Sequence, residues 1–426
     1  MKKRIIKKET TKKETTKKRT TSINCNIISI FLLISIIVSG CNTVQKAETD
    51  TSAEDTQAVT EQEISKAEQV MDLLTDVYKQ AAEENKLADL ETIRSTVNYL
   101  GERGYAAIDS KNQVDMTQSE QVQLFCEQVN SKEKAELSMI EIAQLDGFIE
   151  YDLQTHDGKV DVVKGSYKYT DGAWEKGFEN SYVAESWYYT DEGYLMFSGT
   201  WFSETLYALT LSSAEDHAAF RVEPLDEKCR ELNRKYLLPV SYKQNNMFLV
   251  DWNESDFGEL DFYDMYDIFY EQLYAKHVPY AADDNLGVGA VYQIPKEEFE
   301  NVIMTYFNID SETLQSKTTY DSVTETYEYK PRGFHEVEYP EYPYSEVIDY
   351  TENSDGTIAL MVNVVFPYAG DSKVYVHEVT VRPLDAGGVQ YVSNQIIFSE
   401  DKREKSWHTP RLTEEEWEEI YGDSAE

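Results

Sequence analysis

The stretch IPKEEFENVIMTYF, residues 294–307, predicts the most regular helix of the chain. Its apolar side chains recur at helical spacing, Pro295 stands at the expected first helical position, and acidic residues fill the first turn, where they suit the positive end of the helix dipole. Downstream, IALMVNVVF at 358–366 alternates apolar residues as a half-buried strand does. A helix followed by such strands is typical of an α+β unit.

The same half of the chain contains further elements of both kinds. The pattern predicts a short helix near 227–236, a crossing at Pro239, a strand at 247–252 and a helix over about 259–276. Strands at 374–382 and 389–398 would complete an antiparallel meander with the strand at 358–366.

The first half repeats this order of helices and strands. Apolar periodicity predicts helices over 64–78 and from residue 89, and Thr117-Gln118-Ser119-Glu120 predicts a capping box before a third helix. From about residue 134 strands follow, separated by Asp-Gly or Asp-Glu-Gly turns at 146–147, 157–158, 171–172 and 191–193.

These patterns predict an α+β fold of two lobes, each with helices packed on one face of a curved antiparallel β-meander. By analogy, the arrangement is similar to the cystatin or NTF2-like cone, a likeness that implies no chemistry. The predicted divisions are a leader at 1–40, a tether at 41–62, lobes at 63–238 and 239–400, and an acidic tail at 401–426. The tail should contain a short helix capped by Thr413 and Glu416.

The first forty residues have the composition of an export leader. Residues 1–19 carry ten Lys or Arg against two acids, and the apolar run IISIFLLISIIV follows at 27–38. A spanning helix needs about twenty apolar residues, so this run has the length of a signal-peptide core. An uncleaved anchor helix is the alternative, and either interpretation exports the rest of the chain.

Val38-Ser39-Gly40-Cys41 ends the leader and resembles the lipobox of bacterial lipoproteins. In that family the cysteine thiol receives a diacylglyceryl group and the chain is cut just before it. The resemblance implies that Cys41 is the lipid attachment residue and that the protein is anchored at the extracytoplasmic face of the cell membrane. Two acyl chains on one cysteine give stable anchoring, whereas one chain holds only marginally.

A wider resemblance covers nearly the whole exported chain. It rests on the lipobox together with three strings: Leu145-Asp146-Gly147-Phe148, Thr190-Asp191-Glu192-Gly193-Tyr194-Leu195 and Tyr391-Val392-Ser393-Asn394. With these features the chain resembles a lipoprotein family of Gram-positive bacteria whose function is unknown. The resemblance implies no activity.

The charge balance excludes one class of function. Lys and Arg number 40 and Asp and Glu 79, for a net charge of -39, so the chain repels phosphates and nucleic acid is not an expected partner. Solubility in a cation-rich envelope explains the acidity, and capture of Ca²⁺ or of a basic partner is the alternative. Cys126 and Cys229 are too few for a disulfide scaffold. The sequence leaves open whether these two cysteines form a disulfide with each other.

No motif in the sequence indicates catalysis, a metal or a cofactor. No two of the six histidines stand at zinc-ligand spacing, and the loop beginning at Asp251 has Asp256 and Phe262 where an EF-hand needs Gly and Glu. Ser131 and Lys134 match a Ser-x-x-Lys pattern, but the Ser-Asp-Asn and Lys-Thr-Gly boxes that accompany it are absent. We therefore predict no catalytic, cofactor-binding or metal-binding residues.

Aromatic residues supply the candidate interaction surface. The chain has 31 Tyr and 6 Trp, and amphipathic rings of this kind suit contacts with sugars or proteins. Ordinary strand packing would also account for the first of the two densest clusters, whereas alternating prolines favour an exposed loop for the second. The candidates are Trp187, Tyr188, Tyr189, Tyr339, Tyr342 and Tyr344.

Together these observations predict a lipid-anchored protein that binds a glycan or another envelope protein without transforming it. Its molecular function is not fixed by any motif. The alternatives are an envelope hydrolase that uses a carboxylate pair on glycans and a structural component of envelope assembly.

Overall fold

A computed structural model describes residues 65–143, 147–280, 289–333, 335–336, 341–385, 387–399 and 407–422. The predicted leader and tether, including Cys41, lie outside these residues. So do Asp146, in one of the predicted turns, and Tyr339, one of the candidate interaction residues.

Helices form where apolar periodicity and capping residues coincide. Ser65 begins the first helix with a capping box, because its hydroxyl accepts from the Glu68 N–H at 3.2 Å and its own N–H donates to the Glu68 carboxylate at 2.9 Å. The α-helices in the described residues are α1 Lys66–Glu83, α2 Leu90–Gly101, α3 Ser119–Asn130, α4 Glu204–Thr210, α5 Glu227–Leu232, α6 Phe262–Tyr274, α7 Lys296–Tyr306, α8 Ser311–Ser316 and α9 Glu414–Tyr421.

The strands lie between these helices, and most of them are joined by tight turns. They are β1 Ala106–Asp109, β2 Ala135–Ala143, β3 Gly147–His156, β4 Lys159–Thr170, β5 Ala173–Val183, β6 Ser186–Tyr189, β7 Tyr194–Trp201, β8 Ala214–Arg221, β9 Trp252–Asn253, β10 Tyr292–Pro295, β11 Tyr320–Asp321, β12 Thr326–Tyr329, β13 Tyr344–Glu352, β14 Ile358–Val365, β15 Tyr375–Pro383 and β16 Val389–Ser399.

Within the described part of the chain these strands pair into four sheets, and the fold class is α+β as predicted. The orders are β1-β2-β3-β4-β5, β6-β7-β8, β10-β12-β11 and β13-β14-β15-β16-β9. Strands β2 to β5 and β13 to β16 are antiparallel meanders; the first was predicted, and of the second the strands β14 to β16 were predicted. Strand β1 pairs parallel with β2, an exception to the antiparallel pairing that the sequence predicted.

The first sheet is covered on both faces, whereas the sequence predicted helices on one face only. Ile140 and Phe148 pack against α1 and α2. Met139 and Tyr151 point to the other face, where they meet α3 and strands β6 to β8. The period of two along each strand separates these two cores.

The second large sheet contributes Leu360, Val362 and Val364 of β14 to a core shared with α6 and α7. Val365 points to the opposite face and packs on Tyr194 and Met196 of β7. This contact joins the sheet of β13 to β16 to the sheet of β6 to β8. Residues 63–426 cluster as one compact unit, and the predicted lobe boundary at residue 239 stays a prediction.

Two local predictions are wrong. Residues 247–249 form a turn rather than a strand, because the side-chain Oδ1 of Asn245 accepts from the Met247 N–H at 3.1 Å, and only Trp252 and Asn253 pair as a strand. At α3 the predicted capping box does not form. The Thr117 hydroxyl lies against the backbone of Ala107, and Gln118, in a left-handed conformation, precedes the helix.

Among the described helices, not one combines the length and the apolar character that crossing a bilayer would require.

Candidate functional site

The candidate site begins at the N-terminus of α6. Asp261 caps this helix, because its carboxylate accepts from the N–H groups of Tyr263 at 2.8 Å and Asp264 at 3.2 Å. Asp264 and Asp267 follow at a spacing of three residues and therefore lie on one side of the helix. Asp264 is buried and is 2% exposed.

Two arginines from distant parts of the chain neutralise this pair. The Arg332 guanidinium donates from Nη2 to both Asp264 oxygens, at 2.9 and 3.1 Å, and Arg411 Nε donates to Oδ1 of Asp264 at 2.8 Å. Arg411 Nη2 also donates to Asp267, whose other oxygen accepts from the Tyr329 hydroxyl at 2.6 Å. Buried charges are tolerated when they are paired and hydrogen-bonded in this way.

Burial sets the proton affinity of the two acids. Burial, with a smaller contribution from the neighbouring Asp261, raises the pKa of Asp264 to about 7, although Arg411 and Arg332 oppose the rise. Burial also raises the pKa of Asp267, against the effect of the same two guanidinium groups. The arginines therefore limit a rise in pKa that the low-dielectric surroundings alone would make larger.

Two clefts are bordered by members of this ion-pair cluster. The first has a volume of about 570 Å³ and includes Asp261 and Arg411 in its wall. The second, of about 510 Å³, includes Asp264, Asp267 and Arg332. Both volumes fall in the range of small-molecule sites.

The first cleft combines aromatic rings with charged groups. Tyr263 is fixed by accepting from the Thr319 N–H at 2.8 Å, and Lys330 Nζ lies 4.6 Å from the centre of the Trp417 ring. The remaining charged lining residues come from several elements and are Glu259, Lys317, Glu328, Glu336 and Glu414.

The C-terminal segment forms one wall of this cleft. The predicted capping box of α9 is present, with Thr413 and Glu416 bonded reciprocally. Lys330 binds Glu414 at 2.5 Å, and the Arg411 side chain also donates to the Lys330 carbonyl oxygen at 2.8 Å. The segment is therefore part of the folded protein and carries Trp417 to the cleft.

The first predicted aromatic cluster lies elsewhere, on strand β6. Trp187 stacks on Phe197 with 5.2 Å between ring centres and packs into the core. The Tyr189 hydroxyl accepts from Gln123 at 3.2 Å. Tyr188 is 51% exposed, so in this cluster it offers the most accessible ring.

The second predicted cluster is split by the fold. Tyr342 packs against the core of the second large sheet, and Tyr344 begins β13 beside Tyr194, with its hydroxyl accepting from Asn112 at 3.2 Å. Both rings are partly buried, whereas Tyr188 is exposed. Cys41, the predicted lipid attachment residue, lies outside the described residues.

Other groups considered from the sequence have structural positions. Cys126 and Cys229 are free thiols, and both are buried. His377 is fully buried between the Tyr242 hydroxyl at 2.8 Å and the Asn394 side chain at 2.6 Å. In the ranges that the structure describes, no group of three or more His, Cys, Asp or Glu is placed to hold a metal ion.

Sequence reasoning missed the ion-pair cluster. Its local signal is the Asp261, Asp264 and Asp267 series on a predicted helix. The two arginines stand 68 and 147 positions after Asp264, and no periodic pattern connects positions that far apart.

Comparison with known proteins gives a family but no activity. No curated protein and no solved structure matches the chain. Residues 60–411 match the family model described as "Family of unknown function (DUF6070)". The match covers most of the chain, all four sheets and both arginines of the ion-pair cluster, and it ends just before α9. The chain is therefore a member of the DUF6070 family.

Proposed function

We propose that this protein is a lipid-anchored receptor that binds glycan segments outside the cell membrane without cleaving them. The cleft between α6 and the C-terminal segment is the binding site. The observation that carries the proposal is the combination of Trp417 and Tyr263 with carboxylates in one cleft of about 570 Å³. Aromatic faces stack on sugar rings while carboxylates accept from hydroxyl groups.

The ion-pair cluster supports this role by making the cleft wall rigid. Arg411 is tied to Asp264 and to the carbonyl oxygen of Lys330, so the segment that carries Trp417 is held in place before any ligand arrives. A site that is ordered in advance loses less conformational entropy on binding.

Separate features of the sequence support the lipid anchor. The lipobox at 38–41 and the basic, then apolar, leader before it support lipidation at Cys41. A fatty-acid probe supplied to growing cells should label the wild-type chain and should not label Cys41→Ser. Equal labelling of the two chains would refute the anchor, whereas the glycan proposal would be unaffected.

Binding can be measured with the full chain in detergent and soluble glycan fragments released from purified cell walls by a muramidase. We expect calorimetric titration to give saturable binding that Trp417→Ala lowers about five- to thirtyfold, because stacking on an aromatic ring contributes about 1–2 kcal/mol. Tyr188→Ala is the matched control and should bind as the wild type does. Loss of binding in Tyr188→Ala but not in Trp417→Ala would move the site to β6.

A hydrolase is the second candidate, and the raised pKa of Asp264 is the observation that favours it. Against it, both Asp264 oxygens accept from arginines and the residue is 2% exposed, which leaves little access for a substrate. Release of reducing sugar from the same fragments, abolished by Asp264→Asn, would establish the hydrolase and exclude a purely binding role.

A further inference from the structure

We infer that the loop between β7 and β8 inserts its apolar side chains into the surface of a lipid bilayer. This α4 loop comprises residues 202–213. No residue of α4 is buried in the described structure. The large apolar side chains of the loop that are exposed to water are those of Phe202, Tyr207, Leu209 and Leu211. So many neighbouring apolar groups at a surface indicate contact with something apolar.

Leu211 shows that this exposure has a structural cost. It ends α4 in a left-handed conformation, with a φ of 58°, which leucine rarely adopts and glycine adopts freely. Its side chain is nevertheless 78% exposed. In water this side chain gains no burial that would offset the backbone strain, whereas a bilayer would bury it.

The polar groups of the α4 loop suit insertion. The Ser203 hydroxyl accepts from the Leu206 N–H at 3.3 Å at the start of the helix, and the Leu211 N–H donates to the Tyr207 carbonyl oxygen at 2.8 Å at its end. In the sequence of the loop, Glu204 is the one charged residue, and it lies in the first turn of α4. Insertion of residues 205–213 therefore moves no charged group out of water, and these helix-end groups already have partners.

A bilayer fits this surface better than a second protein does. Leu206, Tyr207 and Leu209 spread over about 160° of the helix, because consecutive residues lie about 100° apart. A protein surface covers one face of so short a helix, whereas lipid can surround it. The Tyr207 ring also packs against Phe202, with 5.5 Å between ring centres, and tyrosine is enriched where membrane meets water.

The lipid anchor would bring the loop to a membrane, and this step rests on the function proposed above. Residues 42–64 separate Cys41 from the start of the described structure and can span at most about 80 Å. Tethering within that distance keeps the bilayer at a high local concentration, so a few apolar side chains are enough to hold the folded part against it. Because the chain is acidic, we expect the contact to be strongest with lipids of no net charge.

The test uses phosphatidylcholine vesicles and a full chain that cannot bind them through its leader or a lipid. Phe31→Asp and Ile34→Asp interrupt the apolar run of the leader, and Cys25→Ser and Cys41→Ser remove two thiols and the lipid attachment residue. A nitrobenzoxadiazole probe on Leu209→Cys should shift its emission to the blue and brighten at least about twofold as it enters the bilayer. Lipid that is spin-labelled in its acyl chains should quench it.

Val323→Cys in the same chain is the matched control for the probe. Val323 lies in the turn between β11 and β12 and is 89% exposed. A probe at this position should keep its emission when vesicles are added. The buried Cys126 and Cys229 are present in both labelled chains, so any label on them contributes equally.

A second comparison measures the contribution of Leu211 to binding. Leu211→Gly removes the side chain and relieves the left-handed backbone, so thermal unfolding should show a fold at least as stable as before. With the probe at position 209, half-maximal binding should need at least about tenfold more lipid, because a leucine side chain is no longer buried. Val323→Gly removes a similarly exposed side chain and should leave this lipid concentration unchanged.

Three results would overturn the inference: no response of the probe at position 209, an equal response at position 323, or unaltered lipid binding in Leu211→Gly. Dimers that form without lipid and are lost in Leu211→Gly would also overturn it, because they would assign the α4 loop to a second copy of the chain. Since this chain lacks Cys41, none of these outcomes depends on lipidation, which the fatty-acid probe tests separately.

Discussion

The hydroxyl of Tyr194 donates a 2.7 Å hydrogen bond to the carboxylate of Glu346, a residue 152 positions further along the chain. Both side chains are buried, and Arg221 Nη1 donates to the second carboxylate oxygen at 2.6 Å. This bond joins β7 to β13 and therefore links two of the sheets. Burial raises the pKa of Glu346, and Arg221 opposes that rise.

Removing the charge of Glu346 should destabilise the protein strongly. Glu346→Gln leaves the Arg221 guanidinium buried without a counter-ion, a change that costs about 3–5 kcal/mol. Urea unfolding monitored by tryptophan fluorescence measures the loss. Glu175→Gln, on an exposed position of β5, is the control and should change the free energy of unfolding by less than about 0.5 kcal/mol. A similar small effect for Glu346→Gln would contradict the role given to this contact.

The second prediction concerns Arg411. Arg411→Lys retains a positive charge but loses the planar guanidinium that reaches Asp264, Asp267 and the Lys330 carbonyl oxygen together, so the C-terminal segment should open more often. Hydrogen exchange of residues 407–422 should speed up at least about tenfold, as expected for a loss of about 1.5–3 kcal/mol.

The control for this prediction is Arg94→Lys, at an exposed ion pair with Glu91 and Glu227. Exposed pairs contribute about 0–1 kcal/mol, so exchange in residues 407–422 should not change in that variant. Unchanged exchange in Arg411→Lys as well would show that other contacts hold the segment.

The third prediction is a pH dependence that comes from Glu150. This residue of β3 is 7% exposed, and its Oε1 atom has no hydrogen-bond partner in the described structure. Burial raises its pKa from 4.5 to about 7, with a smaller contribution from Asp152. Because the pKa is higher in the folded state, the stabilisation is fully present below the unfolded pKa and is lost as the pH rises through about 7.

Glu150→Gln removes this titration. We expect it to raise the free energy of unfolding near neutral pH and above by on the order of 2 kcal/mol, with a much smaller gain near pH 5. Thermal unfolding at the two pH values measures the difference. An equal effect at both would exclude titration of Glu150 as the cause.

The fourth prediction concerns the two buried thiols. Burial raises the pKa of Cys126 to about 12 and that of Cys229 to about 11, so neither is a thiolate at neutral pH. In a chain carrying Cys25→Ser and Cys41→Ser, a thiol reagent should react slowly with the native protein and rapidly with two groups after denaturation. Rapid reaction of the native form would contradict the burial, and reaction of no group would indicate a disulfide.

The sequence predicted local structure better than it predicted the site. Helix α7 begins one residue after the expected position, since Pro295 precedes it, and β14 to β16 lie where alternation and glycine turns placed them. These features depend on interactions between residues that are only a few positions apart. The spacing of apolar residues in the sequence reflects such local interactions. The parallel pairing of Ala106 with Met139 could not be foreseen because four residues have too little pattern to specify a partner.

The ion-pair cluster shows more clearly what could not be predicted from the sequence. Asp264 and Asp267 could be placed on one side of a helix from the sequence alone, but Arg332 and Arg411 are indistinguishable from surface arginines until the chain is folded. Trp417 was likewise predicted on a short terminal helix, and only the structure places it beside Lys330 in a cleft.

The two cores on the faces of the first sheet are both built from the first half of the chain. All their buried members come from residues 67–222, so these cores can form without any residue from the second half of the chain. The bond from Tyr194 to Glu346 must close a loop of 152 positions and can form only afterwards. We expect refolding experiments to detect an early intermediate in which these two cores are formed and β7 does not yet contact β13.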